Sequence, residues 1–231
     1  MAIPGDVTPP RTGDLVQRVA FHSTFWLTFH ALTFGLSFRA SGRGNIPATG
    51  PVLLVSNHQS FLDPWLVGNA STRWLVYLAR HNLFKNRLFA AAIRSYGAVP
   101  IDRGFGKEGL QTVLGLLGQG RAIVIFPEGE RTHDGTLQPL KPGISLLIKR
   151  ANCQIVPVGI SGCYDMWSRH AKRPQPETLF GETGGRSIGL HYGEPVHSGV
   201  YRTMDRDAML ADLQARIAVS VTEAEKLRRR A

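Results

Sequence analysis

The sequence predicts an α/β fold in which a mixed, largely parallel sheet is flanked by helices, preceded by an N-terminal membrane-interface helix or helical hairpin. Two observations support this fold class. Short apolar runs alternate along the chain with longer runs whose apolar residues recur at helical spacing, a pattern typical of α/β proteins. The length of 231 residues and the hydrophobic content of 43% suit one domain with a buried core.

The predicted strands and helices follow one another from residue 52 onward. RAIVIFP at 121–127 is a strong strand candidate, and VLLVS at 52–56 has the apolar character of a buried strand. The other strands are predicted at 71–80, 98–102, 154–161 and 187–196. Helices are predicted from residue 65 and over 83–97, 106–120, 143–152 and 205–230.

The N-terminal region differs in composition from the rest. Residues 1–14 hold three prolines and two glycines and are predicted to be loosely ordered. Residues 15–42 are predicted to form an amphipathic membrane-associating segment, because 19–38 contain no Asp, Glu, Lys or Arg and carry an aromatic-rich face. A helix packed on the protein's own core stays open as the alternative. Residues 43–231 are predicted to form the main domain.

The excess of basic residues indicates an anionic partner. Lys and Arg number 27 against 17 Asp and Glu, which gives a net charge of +10, and this balance suits nucleic acid, acidic lipid surfaces or phosphorylated substrates. No basic run is long enough for a nucleic-acid arm, so nucleic acid is not predicted as a partner. Cys153 and Cys163 match neither a disulfide framework nor a zinc spacing. They are predicted to be reduced, and no metal is predicted.

Polar residues follow three of the predicted strands. They are Asn57-His58-x4-Asp63, Asp102-Arg103, and the PEGERT segment at 127–132. Ligands of α/β sheets bind beyond the carboxyl ends of the strands, so these clusters are expected to face one crevice.

The chemistry of the first and third clusters suits proton transfer and phosphate binding. His58 can take a proton from a hydroxyl if a carboxylate fixes its tautomer, and Asp63 could do this if the chain bends back before Pro64. Asp63 as a helix cap is the structural alternative. Gly129 permits a tight turn, and Arg131 offers a planar fork suited to phosphate.

Together these segments resemble the glycerolipid acyltransferases of the lysophosphatidic acid acyltransferase type. The Asn-His-x4-Asp motif of that family is similar to residues 57–63, and its Phe-Pro-Glu-Gly-Thr-Arg-Ser motif to FPEGERT at 126–132. A motif ending in Arg is matched by GAVPIDR, a Val-Pro-Val-like strand by IVPV at 155–158, and a Lys-x-Gly by Lys141-Pro142-Gly143. The ordered set covers about residues 50–160.

The resemblance implies an acyl transfer at the membrane. His58, oriented by Asp63, would deprotonate the free hydroxyl of a lysophospholipid, chiefly 1-acylglycerol-3-phosphate, for attack on an acyl thioester of coenzyme A or acyl carrier protein. No further cofactor is implied, and the location implied is the cytoplasmic face of a membrane. The residues implied to hold the acceptor's phosphate are Arg103, Glu128, Gly129, Arg131 and Lys141.

Two residues depart from the family pattern. Glu130 stands where the family usually has Thr, and Thr132 where it usually has Ser. Thr132 keeps a hydroxyl, whereas Glu130 adds an anion beside the implied phosphate site. Another lysolipid or an alcohol therefore stays open as the acceptor.

Three other functions stay open. A serine hydrolase would use Ser161, but GISGC lacks the last glycine of the nucleophile elbow. A metal hydrolase would use His58, Asp63 and either His81 or His133, without a recognised ligand spacing. A membrane lipid-binding protein with a decayed catalytic site would bind lysolipid but release no thiol from acyl-coenzyme A.

Overall fold

The computed structural model describes residues 27, 30, 31, 33–101, 106–175 and 186–228. The strands are β1 (Phe38–Ser41), β2 (Val52–Ser56), β3 (Leu75–Arg80), β4 (Ala98–Ile101), β5 (Ala122–Ile125), β6 (Gln154–Ser161), β7 (Ile188–Tyr192) and β8 (Val196–His197). The α-helices are α1 (Asp63–Ala70), α2 (Arg87–Ser95), α3 (Lys107–Gly118), α4 (Gly143–Arg150), α5 (Cys163–Trp167) and α6 (Arg206–Leu227). Short 3-10 helices cover Arg43–Asn45, His81–Phe84 and Ser198–Tyr201.

The strands form one mixed sheet, which confirms the predicted fold class. Its order is β1-β7-β6-β2-β5-β3-β4, with β8 also pairing β6. The five strands from β6 to β4 are parallel to one another, whereas β7 and β8 run antiparallel to β6. Because β2 and β5 are adjacent and parallel, their carboxyl ends lie side by side, and the loops that carry His58 and Glu128 start there.

The sheet is buried on both faces, which accounts for the continuous apolar run of β2. Leu53 and Val55 belong to a core cluster shared with α3, α4 and α6. Val52 and Leu54 belong to the opposite cluster, shared with α1 and α5. Successive side chains of a strand alternate between faces, and all four are fully buried. Burial of each such Leu or Val side chain stabilises the fold by about 1.5–3 kcal/mol. A strand covered on both faces in this way lies at the centre of the sheet.

The C-terminal helix α6 packs closely on the sheet because two strand residues lack side chains. A Cβ atom added to Gly159 of β6 would overlap the backbone of Ser220, and one added to Gly189 of β7 would overlap that of Ala224. Both helix residues are buried. The apolar residues of α6 thereby reach the core cluster, as the helical spacing predicted.

Two features of the sheet differ from the sequence predictions. The predicted strand at 187–196 is divided into β7 and β8, because Gly193 lies against Pro157 and Ser220 and is followed by Glu194 and Pro195. In addition, β1 was not predicted: it lies within the segment 15–42 and pairs parallel to β7, with Phe38 fully buried. Long-range pairing with β7 stabilises this strand, and local sequence does not report such pairing.

Most of the predicted membrane-associating segment lies outside the described residues, as does the predicted loosely ordered stretch 1–14. The membrane-associating role of residues 15–42 stays a prediction. Among the residues that are described, no helix is both long and apolar enough to cross a bilayer.

Candidate active site

The turn between β2 and α1 brings His58 and Asp63 into direct contact. His58 Nδ1 lies 2.8 Å from Asp63 Oδ2. Because a carboxylate oxygen only accepts, Nδ1 carries the proton and the ring's lone pair is on Nε2. The Asp63 side chain is fully buried, whereas 18% of the His58 side chain is exposed. The Asp63 hydrogen bond therefore fixes the tautomer of the His58 ring and leaves Nε2 free to accept a proton. The sequence predicted this contact if the chain bends back.

Hydrogen bonds to Asp63 come from residues that precede it. Its Oδ2 accepts from the backbone N–H of Gln59 at 2.5 Å and from that of Ser60 at 2.7 Å. Helix α1 begins at Asp63 itself, with Pro64 in the first turn. The carboxylate thus closes the turn that carries His58, and this geometry differs from that of an N-cap, which accepts from later amides.

Glu128 holds the backbone of His58. Its Oε1 accepts a hydrogen bond from the His58 N–H at 2.7 Å, and its Oε2 accepts one from the Gln138 N–H at 3.0 Å. Only 2% of Glu128 is exposed, and this burial raises its pKa to about 7 against the two hydrogen bonds that lower it. Both carboxylate oxygens are therefore engaged with backbone, and the side chain links the β5 loop to the histidine.

Further hydrogen bonds fix the two loops to each other and to the sheet. The Thr132 N–H donates to the His58 carbonyl at 2.8 Å. Asn57 bridges to β6, since its side chain donates to the Ile160 carbonyl at 2.9 Å and accepts from the Ile160 N–H at 2.8 Å. The ring of Phe126 stacks on that of His58 with centroids 4.2 Å apart. The position of the imidazole is thus set on several sides.

Arg131 lies against the turn between β2 and α1. Its guanidinium carbon is 3.3 Å from the centroid of the Phe61 ring, an arrangement that favours a cation. Its Nη1 is buried and has no hydrogen-bond partner among the described residues. Burial, and after it the nearby charge of Arg169, lowers the pKa of Arg131. The residue therefore offers a donor that an anionic ligand could satisfy.

The anion introduced by Glu130 is paired. Glu130 Oε2 lies 3.1 Å from Arg169 Nη1, and this hydrogen bond lowers the pKa of Glu130. The same Arg169 nitrogen donates to the Arg131 carbonyl at 2.8 Å. Arg169 thus offsets the charge of Glu130 and supports the backbone of the loop beside Arg131.

The remaining predicted phosphate-binding residues are partly described. Gly129 has φ of +78°, a left-handed conformation that favours glycine, and the Lys141 side chain packs across it. The Lys141 N–H donates to the Pro127 carbonyl at 2.8 Å, so this lysine borders the same loop. Arg103 lies outside the described residues, and its role stays a prediction.

The residues of the rival enzymes are arranged differently. Ser161 donates a hydrogen bond to Glu225 and accepts one from Arg228, so its hydroxyl has an acid partner and a cation partner instead of a basic imidazole. Burial, followed by the Asp63 carboxylate, raises the pKa of the Cys163 thiol well above its usual value. Within the described ranges, no three or more His, Cys, Asp or Glu side chains gather as a metal site would require.

The sequence comparison decides the family. A family model described as "Acyltransferase" matches residues 37–161, more than half of the chain. The chain belongs to the Acyltransferase family. The matched residues run from β1 to the end of β6 and include every predicted site residue from His58 to Lys141, and the resemblance proposed from the motifs is confirmed.

Individual proteins resemble the chain at low identity. A protein of Mus musculus named 1-acyl-sn-glycerol-3-phosphate acyltransferase alpha is 30% identical over 64% of this chain and 53% of its own length. A Bacillus subtilis protein named 1-acyl-sn-glycerol-3-phosphate acyltransferase is 24% identical over 85% of this chain and 94% of its own. The chain spans about half the length of the mouse relative and of several others so named.

A solved structure supports the fold assignment. The crystal structure of the 1-acyl-sn-glycerophosphate acyltransferase PlsC from Thermotoga maritima matches with a TM-score of 0.70 and 20% identity, covering 90% of this chain and 78% of that one. The chain therefore shares the architecture of a solved Acyltransferase-type structure.

Sequence reasoning missed two contributors to this candidate site. Arg169 was not singled out, because it lies 38 residues beyond Arg131 in a basic stretch without a motif. Gln138 was also missed, although its backbone N–H donates to Glu128 and its side chain donates to Asp134. Backbone amides carry no residue-type signal, so a sequence pattern does not reveal this second partner of Glu128.

Proposed function

We propose that the chain is a membrane-associated O-acyltransferase that moves a fatty acyl group from an acyl thioester to the free hydroxyl of a lysophospholipid. The proposed acceptor is 1-acylglycerol-3-phosphate, and the product is phosphatidic acid. The observation that carries this proposal is the His58–Asp63 hydrogen bond of 2.8 Å. The names of the two relatives support the choice of acceptor.

In the proposed reaction His58 acts as the general base. Nε2 takes the proton of the acceptor hydroxyl while Asp63 stabilises the imidazolium that forms. The acceptor oxygen attacks the thioester carbonyl, an ester C–O bond forms, and the C–S bond breaks. The imidazolium then returns its proton to the departing thiolate, so the free base and a thiol are the end state. No acyl-enzyme is required.

The acceptor's phosphate is proposed to bind beside this base. Arg131 supports this assignment, because it combines a positive charge with a buried donor that the described residues leave unsatisfied. Lys141 and Gly129 border the same loop, and Arg103 is proposed to join them. For Glu128 the two backbone hydrogen bonds favour a positioning role: we propose that it aids phosphate binding indirectly, by fixing the loop between His58 and Arg131.

The pairing of Glu130 with Arg169 favours a phosphate-bearing acceptor over a neutral alcohol. An unpaired Glu130 would repel phosphate, but the Arg169 guanidinium at 3.1 Å offsets that charge. The acyl donor is proposed to be coenzyme A or acyl carrier protein, each acting as a substrate. Attachment to the cytoplasmic face of a membrane through residues 15–42 remains part of the proposal.

The test is thiol release from acyl-coenzyme A and from acyl-carrier-protein donors, with lysophosphatidic acid compared with other lysolipids. We expect His58→Ala to lower turnover by roughly 10²–10⁴-fold, the usual contribution of general base catalysis. His197→Ala is the matched control, because His197 is exposed at the amino edge of the sheet, in β8.

Each result has a definite meaning. Release that needs lysophosphatidic acid and is lost only in His58→Ala would support the full proposal. Release with a different acceptor would keep the mechanism and change the substrate. If wild-type protein bound lysolipid but released no thiol with any pair, the lipid-binding alternative would replace the enzyme.

A further inference from the structure

The chain between β3 and β4 exposes a group of large apolar side chains. Leu88 is 86% exposed, Phe89 is 49%, Tyr96 is 45% and Leu83 is 43%. A soluble protein exposes single apolar residues routinely, whereas four within fourteen positions indicate a contact surface. We call residues 81–96 the β3–β4 connection.

This exposure is a property of one face of the connection. Ala90 of α2 is buried and Ile93 is half-buried, so the opposite face of the helix packs on the protein. Asn86 caps α2 by accepting a hydrogen bond from the Phe89 N–H at 3.0 Å, which stabilises the first turn. Leu88 and Phe89 are therefore presented from an anchored helix.

The charge of this part of the chain has a single sign. Residues 64–101 contain no Asp or Glu. The exposed basic side chains of this region are Arg80, Lys85, Arg87 and Arg94. Arg94 also lies over the Phe84 ring at 5.0 Å. An apolar face with basic residues on its borders matches a bilayer surface that contains anionic lipids, because the apolar side chains enter the acyl region while the cations meet the headgroups.

The surface lies at the same edge of the sheet as the candidate active site. The connection starts at the carboxyl end of β3, and β3 is the parallel neighbour of β5, whose loop carries Arg131. Arg80, the last residue of β3, is close enough to contribute to the lowered pKa of Arg131. A bilayer in contact with the connection would therefore also border the site.

We propose that the β3–β4 connection is a membrane-docking surface for anionic bilayers, with Leu88 and Phe89 inserted and Lys85, Arg87 and Arg94 contacting the headgroups. This surface is separate from residues 15–42 and does not depend on acyl transfer. Two more arginines lie within 64–101. Arg80 immediately precedes the connection, and Arg73 is not part of the surface, because its guanidinium donates to the carbonyls of residues 47, 50 and 120.

The first test measures binding of the full chain to sedimented vesicles of phosphatidylcholine, with and without phosphatidylglycerol. Leu88→Gln with Phe89→Gln should weaken binding by about tenfold or more, since inserting one large apolar side chain contributes at least that factor. Val200→Gln is the control, because Val200 is 54% exposed near the amino edge of the sheet.

Charge removal is tested with a matched pair of variants. Lys85→Gln with Arg87→Gln should weaken binding to the anionic vesicles by about fivefold per charge and change little on phosphatidylcholine alone. Arg150→Gln with Arg202→Gln changes the net charge equally at exposed positions near the opposite edge and should bind nearly as wild type does. Equal losses in the two variants would contradict the proposal.

A local probe identifies the docking face even if another segment also binds lipid. Cys153 and Cys163 are buried, so a nitrobenzoxadiazole label on Leu88→Cys can be compared with one on Val200→Cys. We expect anionic vesicles to shift the emission of the Leu88 label to the blue and lipid-attached quenchers to reduce it, with no change at Val200.

The contrary outcomes are equally specific. A label at Leu88 that stays solvent-exposed on vesicle-bound protein would refute the docking surface. A label already shifted to the blue before vesicles are added, and unchanged by them, would mean that this chain or a second copy covers the face, which also overturns the proposal. Because vesicle binding needs no turnover, these results are independent of whether the protein transfers acyl groups.

Discussion

Replacing Asp63 with Asn tests how much the buried carboxylate contributes to a base at His58. The change removes a negative charge with little change in size. Three hydrogen bonds converge on Oδ2, from His58 Nδ1 and from the N–H groups of Gln59 and Ser60. The Asn carbonyl can replace that oxygen for the backbone donors. It cannot supply the charge that stabilises an imidazolium.

The size of the loss follows from the separation of the two groups. Unit charges 2.8 Å apart in a medium of effective dielectric constant about 20 attract by about 6 kcal/mol. Because each charge is shared between two atoms, about half of this energy is a reasonable lower value. At about 1.36 kcal/mol for each tenfold change in rate, kcat/KM should fall by roughly 10²–10⁴-fold. The same substitution in a Ser-His-Asp triad lowers kcat by about 10⁴-fold.

The assay is thiol release with the preferred acceptor, at acceptor concentrations well below KM so that kcat/KM is measured directly. Asp207→Asn is the control, because Asp207 is exposed near the start of α6. Thermal unfolding of each variant separates a catalytic loss from a folding loss. If Asp63→Asn kept more than about a tenth of wild-type kcat/KM with an unchanged melting temperature, a charge-stabilised imidazolium would not be part of the mechanism.

The other predictions concern the loop beside the base. Burial raises the pKa of Glu128 from 4.5 to about 7, so the folded state holds this proton more tightly and the group's contribution to stability is lost as pH rises between those values. Glu128→Gln should remove this pH dependence of the free energy of unfolding, measured from urea-unfolding curves at a series of pH values. An unchanged pH dependence would contradict the burial argument. Gly129→Ala should lower the melting temperature, because φ is +78° and the new methyl meets a lysine side chain. Gly115→Ala, in an open helical position, should raise it. Arg169→Ala should raise KM for a phosphate-bearing acceptor by exposing the charge of Glu130. Adding Glu130→Gln to this variant should return the KM to the wild-type value. If the KM stayed raised, compensation of the Glu130 charge by Arg169 would be ruled out.

Local sequence carried the information for most elements of the fold. The strand predicted at 52–56 coincides with β2, and that predicted at 154–161 with β6, because continuous apolar runs of that length are stable only when both faces are covered. Helices α3 and α4 were likewise expected from their spacing. By contrast, β1 is a short segment of mixed polarity, and its pairing with a strand some 150 residues away gave no local signal.

The sequence also determined which residues could form the candidate base. The five-residue separation of His58 and Asp63 allowed their contact to be proposed on the condition that the chain bends back before Pro64, with a helix cap at Asp63 as the alternative. The tertiary structure decided how the turn is closed: Asp63 accepts from preceding amides instead of capping the helix. Hydrogen bonds to backbone depend on conformation, which residue identity does not specify.

Contacts between distant residues were decided by the tertiary structure alone. Glu128 meets His58 across 70 positions, and Arg169 meets Glu130 across 39. The adjacency of β2 and β5 makes the first contact possible, and the loop that follows α5 makes the second. Sequence by itself specifies the chemistry that each side chain can perform and the periodicity of each element. Which charges are buried, paired or left open to a ligand is set by packing, because desolvation and Coulomb energies depend on neighbours that only the folded chain brings together.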